Sequence, residues 1–222
     1  MPSENAAPAV ETRAVSRQYG YVPALRAVSL DIGQGECVAL FGHNGAGKTT
    51  LLRLIATHLR PSSGTIRIFG NDVPACGPGI KRRIGLLTHE NYLYPELSIR
   101  ENLQFYARLF SIDDEESYQD LVDYFGLRRW YTAGVGTLSF GLRKRADLVR
   151  ALLHRPDLIL LDEPFAGLDI RTCDLLVDHF RSQKEEGKTV MISSHSREWI
   201  EKLCDRELVF DRGTIVHDIS CG

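Results

Sequence analysis

The 222-residue chain is predicted to form an α/β fold with an antiparallel β subdomain and an inserted helical subdomain. Three observations carry that expectation. Short apolar runs bounded by glycine alternate with helical patterns, the order that buries a parallel sheet between helices. Two partly β-branched segments near the N-terminus, "TRAVSRQY" and "LRAVSLDI", are separated only by "GYVPA", which suits antiparallel neighbours. Residues 98–153 lose the alternation and carry long helical periodicities instead.

Residues 1–10 read as a disordered lead-in and residues 11–222 as one domain. Within it, "GECVALFG" (35–42) is a buried strand that runs through "HNGAGKTTLLRLIATHL" into a helix. "GTIRIFG" (64–70) is a strand between glycines, and "NDVPACGPG" is a loop. "SIRENLQFYARLF" places Ser98 three residues before Glu101, the spacing of a capping box. "DEESYQDLVDYFGL" follows, with Gly126 near its end. In "LSFGLRKRADLVRALLH", Ser139 is expected to cap a helix whose first turns carry Arg143, Lys144 and Arg145. The core is assigned to 11–84 and 151–222, and the helical insertion to about 85–150. "DLILLDEP" (157–164) and "KTVMISSH" are further buried strands, around a helix "RTCDLLVDHFRSQKEEG" that ends at Gly187. "ELVFDRGTIVHDI" closes as a hairpin around Asp211, Arg212 and Gly213.

Composition removes several function classes. Apolar residues make up 43% of the chain, enough for a sizeable core, and the net charge of −2 argues against a dedicated nucleic-acid binder. The cysteines Cys37, Cys76, Cys173, Cys204 and Cys221 show no C-x-x-C spacing. They read as isolated thiols in a reducing compartment rather than as a disulfide framework or zinc site. Apolar runs such as "LILL" are too short to span a bilayer, and the N-terminus lacks the pattern of a secretory signal. A link to a membrane is therefore expected to come through a partner.

The chemistry concentrates in a few segments. "GHNGAGKT" (42–49) fits G-x-x-x-x-G-K-[ST] between a strand and a helix. Gly42, Gly45 and Gly47 let the backbone turn and approach phosphates, with His43, Asn44 and Ala46 completing the loop and Thr50 following it. Lys48 is expected to reach the β- and γ-phosphates, and the Thr49 hydroxyl to bind Mg²⁺. Asp162 and Glu163 end the apolar run "LILLDEP". Asp162 is the natural Mg²⁺-side group and Glu163 the candidate to polarise the attacking water. A lone histidine after a strand is commonly a packing residue. His195, however, stands at the carboxyl end of a core strand, where ligands of open α/β sheets collect, and could hydrogen-bond the γ-phosphate. Tyr19 or Tyr21 could stack on a base, with packing at a strand end as the plainer role. Ser139, at a helix start beside three basic residues, prepares an anion site.

Read in order, Tyr19, "GHNGAGKTT", "LSFGLRKR", "LILLDEP", "AGLD" and "SSH" resemble the nucleotide-binding subunit of ATP-binding-cassette transporters over about residues 11–216. The resemblance implies a P-loop NTPase with a RecA-like core, hydrolysing ATP with Mg²⁺. It implies two cassettes packed head to tail, either two copies or a copy and a homologue, with two ATP molecules between them. Ser139 and Gly141 of one subunit would then meet the γ-phosphate of ATP held by Lys48 of the other, and Asp169 would lie at that interface. Glu163 and His195 would support hydrolysis. The motion would pass to a polytopic membrane subunit at the cytoplasmic face of the inner membrane, through the cleft between core and helical subdomain. "HENYLYPELSIRENLQFYARL" and "LSFGLRKRADLVRALLHRP" look most like the small ATPase subunits of the haem-exporter type used in cytochrome c maturation, although general exporter subunits share much of both.

Two departures from the family pattern stand out. The usual L-S-G-G-Q carries Phe140 and Leu142 here, with Ser139 and Gly141 retained. The glutamine that normally binds Mg²⁺ at the entry to the helical subdomain is missing from "LLTHENYLYPEL". Its place falls to His89 or Glu90, of which Glu90 is the better magnesium ligand and is expected to take the role. A soluble ATPase of the same class, or a nucleotide-dependent dimerisation switch that hardly hydrolyses, is the competing function.

Overall fold

The computed structural model describes residues 7–73, 78–195 and 197–220. The strands are β1 (Val10–Tyr19), β2 (Val22–Ile32), β3 (Cys37–Phe41), β4 (Ser63–Ile68) and β5 (Asn71–Asp72), then β6 (Ile84–Leu87), β7 (Leu158–Asp162), β8 (Thr189–Ser193), β9 (Arg206–Asp211) and β10 (Thr214–Ser220). The helices are α1 (Lys48–Ile55), α2 (Pro78–Lys81), α3 (Ile99–Leu109), α4 (Gln119–Tyr124), α5 (Phe140–Leu152), α6 (Ile170–Glu185) and α7 (Arg197–Ile200). One sheet is antiparallel, in the order β2-β1-β4-β5. The other has the order β10-β9-β3-β8-β7-β6, parallel from β9 to β6 with β10 folded back on β9.

Strands β3, β7 and β8 are buried along their whole length, which is why each reads as an unbroken apolar run. Alternate residues serve two cores. Val38, Leu40, Leu158, Leu160 and Met191 pack with α1 and the antiparallel sheet, against Leu51, Leu52, Val15 and Ile32. Cys37, Ala39, Ile159, Leu161, Val190 and Ile192 pack on the other face, against Leu103 of α3, Leu148 of α5 and Phe180 of α6. Each buried Leu or Ile contributes about 1.5–3 kcal/mol relative to an exposed one. The sheet is thus held rigidly from both sides, and its carboxyl ends are fixed in space.

The local expectations hold at several points. Ser98 accepts from the Glu101 amide while the Glu101 carboxylate accepts from the Ser98 amide. Ser139 caps α5 through the Leu142 amide. The last hairpin turns through Arg212 and Gly213, both at positive φ.

Three expectations need correction. "IGLL" (84–87) is a strand of the parallel sheet, paired with β7, so the boundary drawn at 85 falls inside β6, and the one at 150 falls inside α5. Four apolar residues without turn signals cannot be told from a helix by periodicity. The lead-in is shorter than residues 1–10: Ala9 and Val10 are fully buried, and the Ala9 amide donates to Ile32. Residues 1–6 lie outside the described residues, as do 74–77 of the expected loop, with Cys76, and Cys221. The cysteines are not all isolated: Cys37 Sγ and Cys204 Sγ lie 3.2 Å apart, because β3 and β9 are neighbours in the sheet.

Candidate functional site

The loop after β3, the end of β7 and the end of β8 converge, because β8 lies between β3 and β7 in the sheet. Between them opens a cavity of about 540 Å³, lined by Asn44–Thr50 together with Ala24, His89, Asp162, Glu163 and His195. Ligand sites of open α/β sheets form in this position, beyond the carboxyl ends of the strands.

The loop 42–47 is shaped by backbone constraints. Gly47 precedes α1 at φ 111°, and a Cβ there would stand 2.7 Å from the Ala24 carbonyl oxygen. No side chain caps α1. Its first-turn amides and its dipole are therefore free to meet an anion. Lys48 is buried, and its Nζ donates to the Gly42 carbonyl (2.5 Å) and the His43 carbonyl (3.2 Å). Burial lowers its pKa, while Glu163 and Asp162 oppose that shift. A cation already partly desolvated, at the start of a helix whose first-turn amides carry no side-chain cap, binds phosphate strongly.

Asp162 is buried at the end of β7. Its Oδ2 accepts from Thr49 Oγ1 at 2.8 Å, and its Oδ1 accepts from Ser193 Oγ. A hydroxyl and a carboxylate held this closely are hard oxygen donors, so these residues fit Mg²⁺. Glu163 adopts φ 51°, a left-handed conformation that is costly for a side chain of this kind. Its amide donates to the carbonyl and the hydroxyl oxygens of Ser193, which fixes the turn. Burial raises the Glu163 pKa, with His195 and Lys48 opposing. His195 Nε2 is 3.2 Å from Glu163 Oε1 and 2.9 Å from Asn44 Oδ1. It therefore bridges the P-loop and the carboxylate.

The remaining candidates divide. His89, not Glu90, lines the cavity, with its Nδ1 3.7 Å from Asp162 Oδ2. Glu90 is turned away into an ion pair with Arg53 at 2.8 Å, which lowers its pKa. The expectation that Glu90 supplies a magnesium oxygen is thus corrected: Arg53, on α1, claims its carboxylate. Tyr19 does not line the cavity; it is half exposed with the Arg17 guanidinium 5.0 Å from its ring, and Tyr21 is fully exposed. Ser139 and Gly141 do not line it either. The Asp169 carboxylate caps α6, accepting from the Thr172 amide and hydroxyl. Ser193 and Lys144 hold the Glu163 backbone; in the sequence only the serine pair in "SSH" hints at either role.

Comparison with known proteins agrees with this geometry. The family model described as ABC transporter matches residues 25–166. The chain is 40% identical over 200 residues to the ABC transporter ATP-binding protein NatA of Bacillus subtilis (strain 168), covering 88% of this chain and 81% of that protein. It is 35% identical over 207 residues to the Nod factor export ATP-binding protein I of Burkholderia orbicola (strain AU 1054), covering 92% of this chain and 68% of the relative. A solved structure described as the ATP binding subunit of an ABC transporter superposes with a TM-score of 0.88 at 28% identity, over 95% of this chain and 89% of that one. With the cassette fold, the P-loop and the acidic strand end in place, the chain belongs to the ABC transporter family and is an ATP-binding, ATP-hydrolysing transporter subunit that uses Mg²⁺.

Proposed function

We propose that this subunit powers a membrane exporter as one half of an ATP-closed dimer. The observation that carries the dimer is a division of labour. The P-loop, Asp162, Glu163 and His195 share one cavity, whereas Ser139 and Gly141 stand outside it. An anion-ready helix start with no phosphate of its own fits the ATP of a second cassette.

In this reading Lys48 and the α1 amides hold the β- and γ-phosphates. Thr49 and Asp162 would hold Mg²⁺, which would supply charge neutralisation on the phosphate oxygens. Glu163, with its raised pKa, accepts a proton from the attacking water. His195 keeps the Glu163 carboxylate facing the P-loop through Asn44. Most of the rate then comes from positioning and fixed charges, as in phosphoryl transfer generally.

Export is favoured by the similarity to a protein described as a Nod factor export ATP-binding protein. A haem cargo rests on the two sequence segments named above. Among the described residues no helix is long and apolar enough to cross a membrane, so docking on a polytopic partner at the cytoplasmic face supplies the link. A cleft of about 370 Å³ suits that docking: Lys81, Arg82 and Arg150 stand beside Tyr92, Tyr106 and Phe110, a lining that favours a partner segment with acidic and apolar side chains.

Three experiments test the reading. Lys48→Ala should abolish ATP binding or hydrolysis, and wild-type turnover in that variant would sink the P-loop assignment. A tagged chain recovered from detergent-solubilised membranes should bring a polytopic protein in stoichiometric amount, whose identity names the cargo class. Recovery without any membrane protein moves the reading to a soluble ATPase. Turnover no greater than that of Glu163→Gln moves it to a dimerisation switch, a reading favoured by the missing glutamine and by His89 lining the cavity.

A further inference from the structure

The segment that follows β7 is tied to α5 by one side chain. Lys144 Nζ donates to the Glu163 carbonyl at 2.6 Å and to the Ala166 carbonyl at 2.9 Å. The Glu163 carbonyl has left the sheet ladder, whose last pair here is Asp162 with Ser193. The residue sits in a left-handed conformation (φ 51°), and its carbonyl accepts from the Ala166 amide at 3.3 Å as well as from Lys144, the shorter contact. Packing reinforces the tie. The Phe140 ring lies on Gly167 so closely that a Cβ there would stand 2.7 Å from it, and Leu168 reaches to within 3.7 Å of the same point on Gly141. Lys144 Nζ also lies 5.6 Å from the Phe140 ring centre. Burial lowers the Lys144 pKa to about 8, with Glu163 drawing it back up. An ammonium is desolvated here only because two carbonyls receive it.

Lys144 stands five positions after Ser139, the cap of α5. In the dimer of the preceding section, on which this inference rests, Ser139 touches the ATP held by the partner, while Glu163 acts on the ATP held by its own chain. We propose that Lys144 is a positioning residue for hydrolysis: it locks the Glu163 backbone to the helix that reads the other ATP, so that each site is completed only when its neighbour is occupied.

Lys144 makes no contact with the cavity that holds Lys48 and Thr49. Its loss acts on Glu163 rather than on nucleotide binding. Lys144→Met keeps the length of the side chain and removes the donors. Its kcat is expected to fall about 10–100-fold, with the KM for ATP within about twofold of wild type. Lys144→Arg restores two donors to the carbonyls, so its kcat recovers most of that loss. A purely structural lysine would lower the melting temperature and the yield of active protein but leave the kcat of the folded fraction unchanged.

The coupling between sites is read from a double-mutant cycle with Ser139→Ala. The combined kcat loss is expected to be smaller than the product of the single losses, because both changes break one connection. Wild-type kcat in folded Lys144→Met overturns the positioning role, and multiplicative losses in the cycle overturn the coupling. Light scattering of Glu163→Gln with ATP tests the dimer separately. A monomer there removes the dimer reading and the coupling with it, while the kcat of Lys144→Met still decides whether Lys144 positions Glu163.

Discussion

Thr49 Oγ1 donates to Asp162 Oδ2 across 2.8 Å and so joins the first turn of α1 to the end of β7. Thr49→Val keeps the shape and removes the hydroxyl. With the oxygen donors for Mg²⁺ reduced, the concentration of Mg²⁺ giving half-maximal ATPase activity is expected to rise by about 10–100-fold. A Mg²⁺ titration at saturating ATP measures it.

Glu163 is the proposed acceptor of the water proton, and its amide is clamped by Ser193. Glu163→Gln preserves the shape and the clamp but cannot take the proton. Turnover should fall about 10²–10⁴-fold while a fluorescent ATP analogue still binds. Binding and turnover lost together would place the carboxylate in nucleotide affinity instead.

Asp147 and Arg150 form a buried ion pair at 2.8 Å, and Arg150 also donates to the Leu86 carbonyl. Asp147 further accepts from the Tyr92 backbone, and burial raises its pKa. Arg150→Met strands the Asp147 carboxylate, and the loss is expected to be about 3–5 kcal/mol. Urea unfolding of Arg150→Met against the Asp147→Leu/Arg150→Met double variant checks this, since the double variant should regain most of it.

His154 is stacked on Phe110 at 3.9 Å and donates from Nε2 to the Ile84 carbonyl. Burial lowers its pKa to about 4 from the ordinary 6.5. Between pH 6.5 and 4 the unfolded chain takes up a proton that the folded chain refuses, so stability falls as pH is lowered through that window. His154→Gln keeps a donor for Ile84 and removes the titration. Its melting temperature should depend less steeply on pH between 6.5 and 4 than that of wild type, and parallel curves would refute the assignment.

Much of the site is legible in the primary structure because it is local. The P-loop occupies eight consecutive residues, 42–49, and its strand–helix setting can be read from "VALF" and "LLRL". Asp162 and Glu163 announce themselves at the end of an apolar run. What stayed hidden depends on tertiary neighbours. Glu90 is the better magnesium ligand by residue type, yet Arg53, 37 positions earlier, draws it off and leaves His89 at the cavity. The strand β6 is four residues long, and only its pairing with β7, more than seventy residues away, distinguishes it from the start of a helix. Lys144 looks like any basic residue on a solvated helix face until the turn at Glu163 is placed beneath it.

α5 is 13 residues long, about 20 Å from end to end. It is gripped near its middle by Lys144, while Ser139 marks one end and Arg150, on the wall of the basic cleft, lies near the other. Along it Ala146, Leu148, Val149 and Leu152 are buried in the core, and Arg150 pairs with Asp147 and donates to the Leu86 carbonyl of β6. One packed helix therefore carries the wall of the basic cleft, the grip on the Glu163 turn and the Ser139 cap, so the three keep a fixed spacing along a single rod.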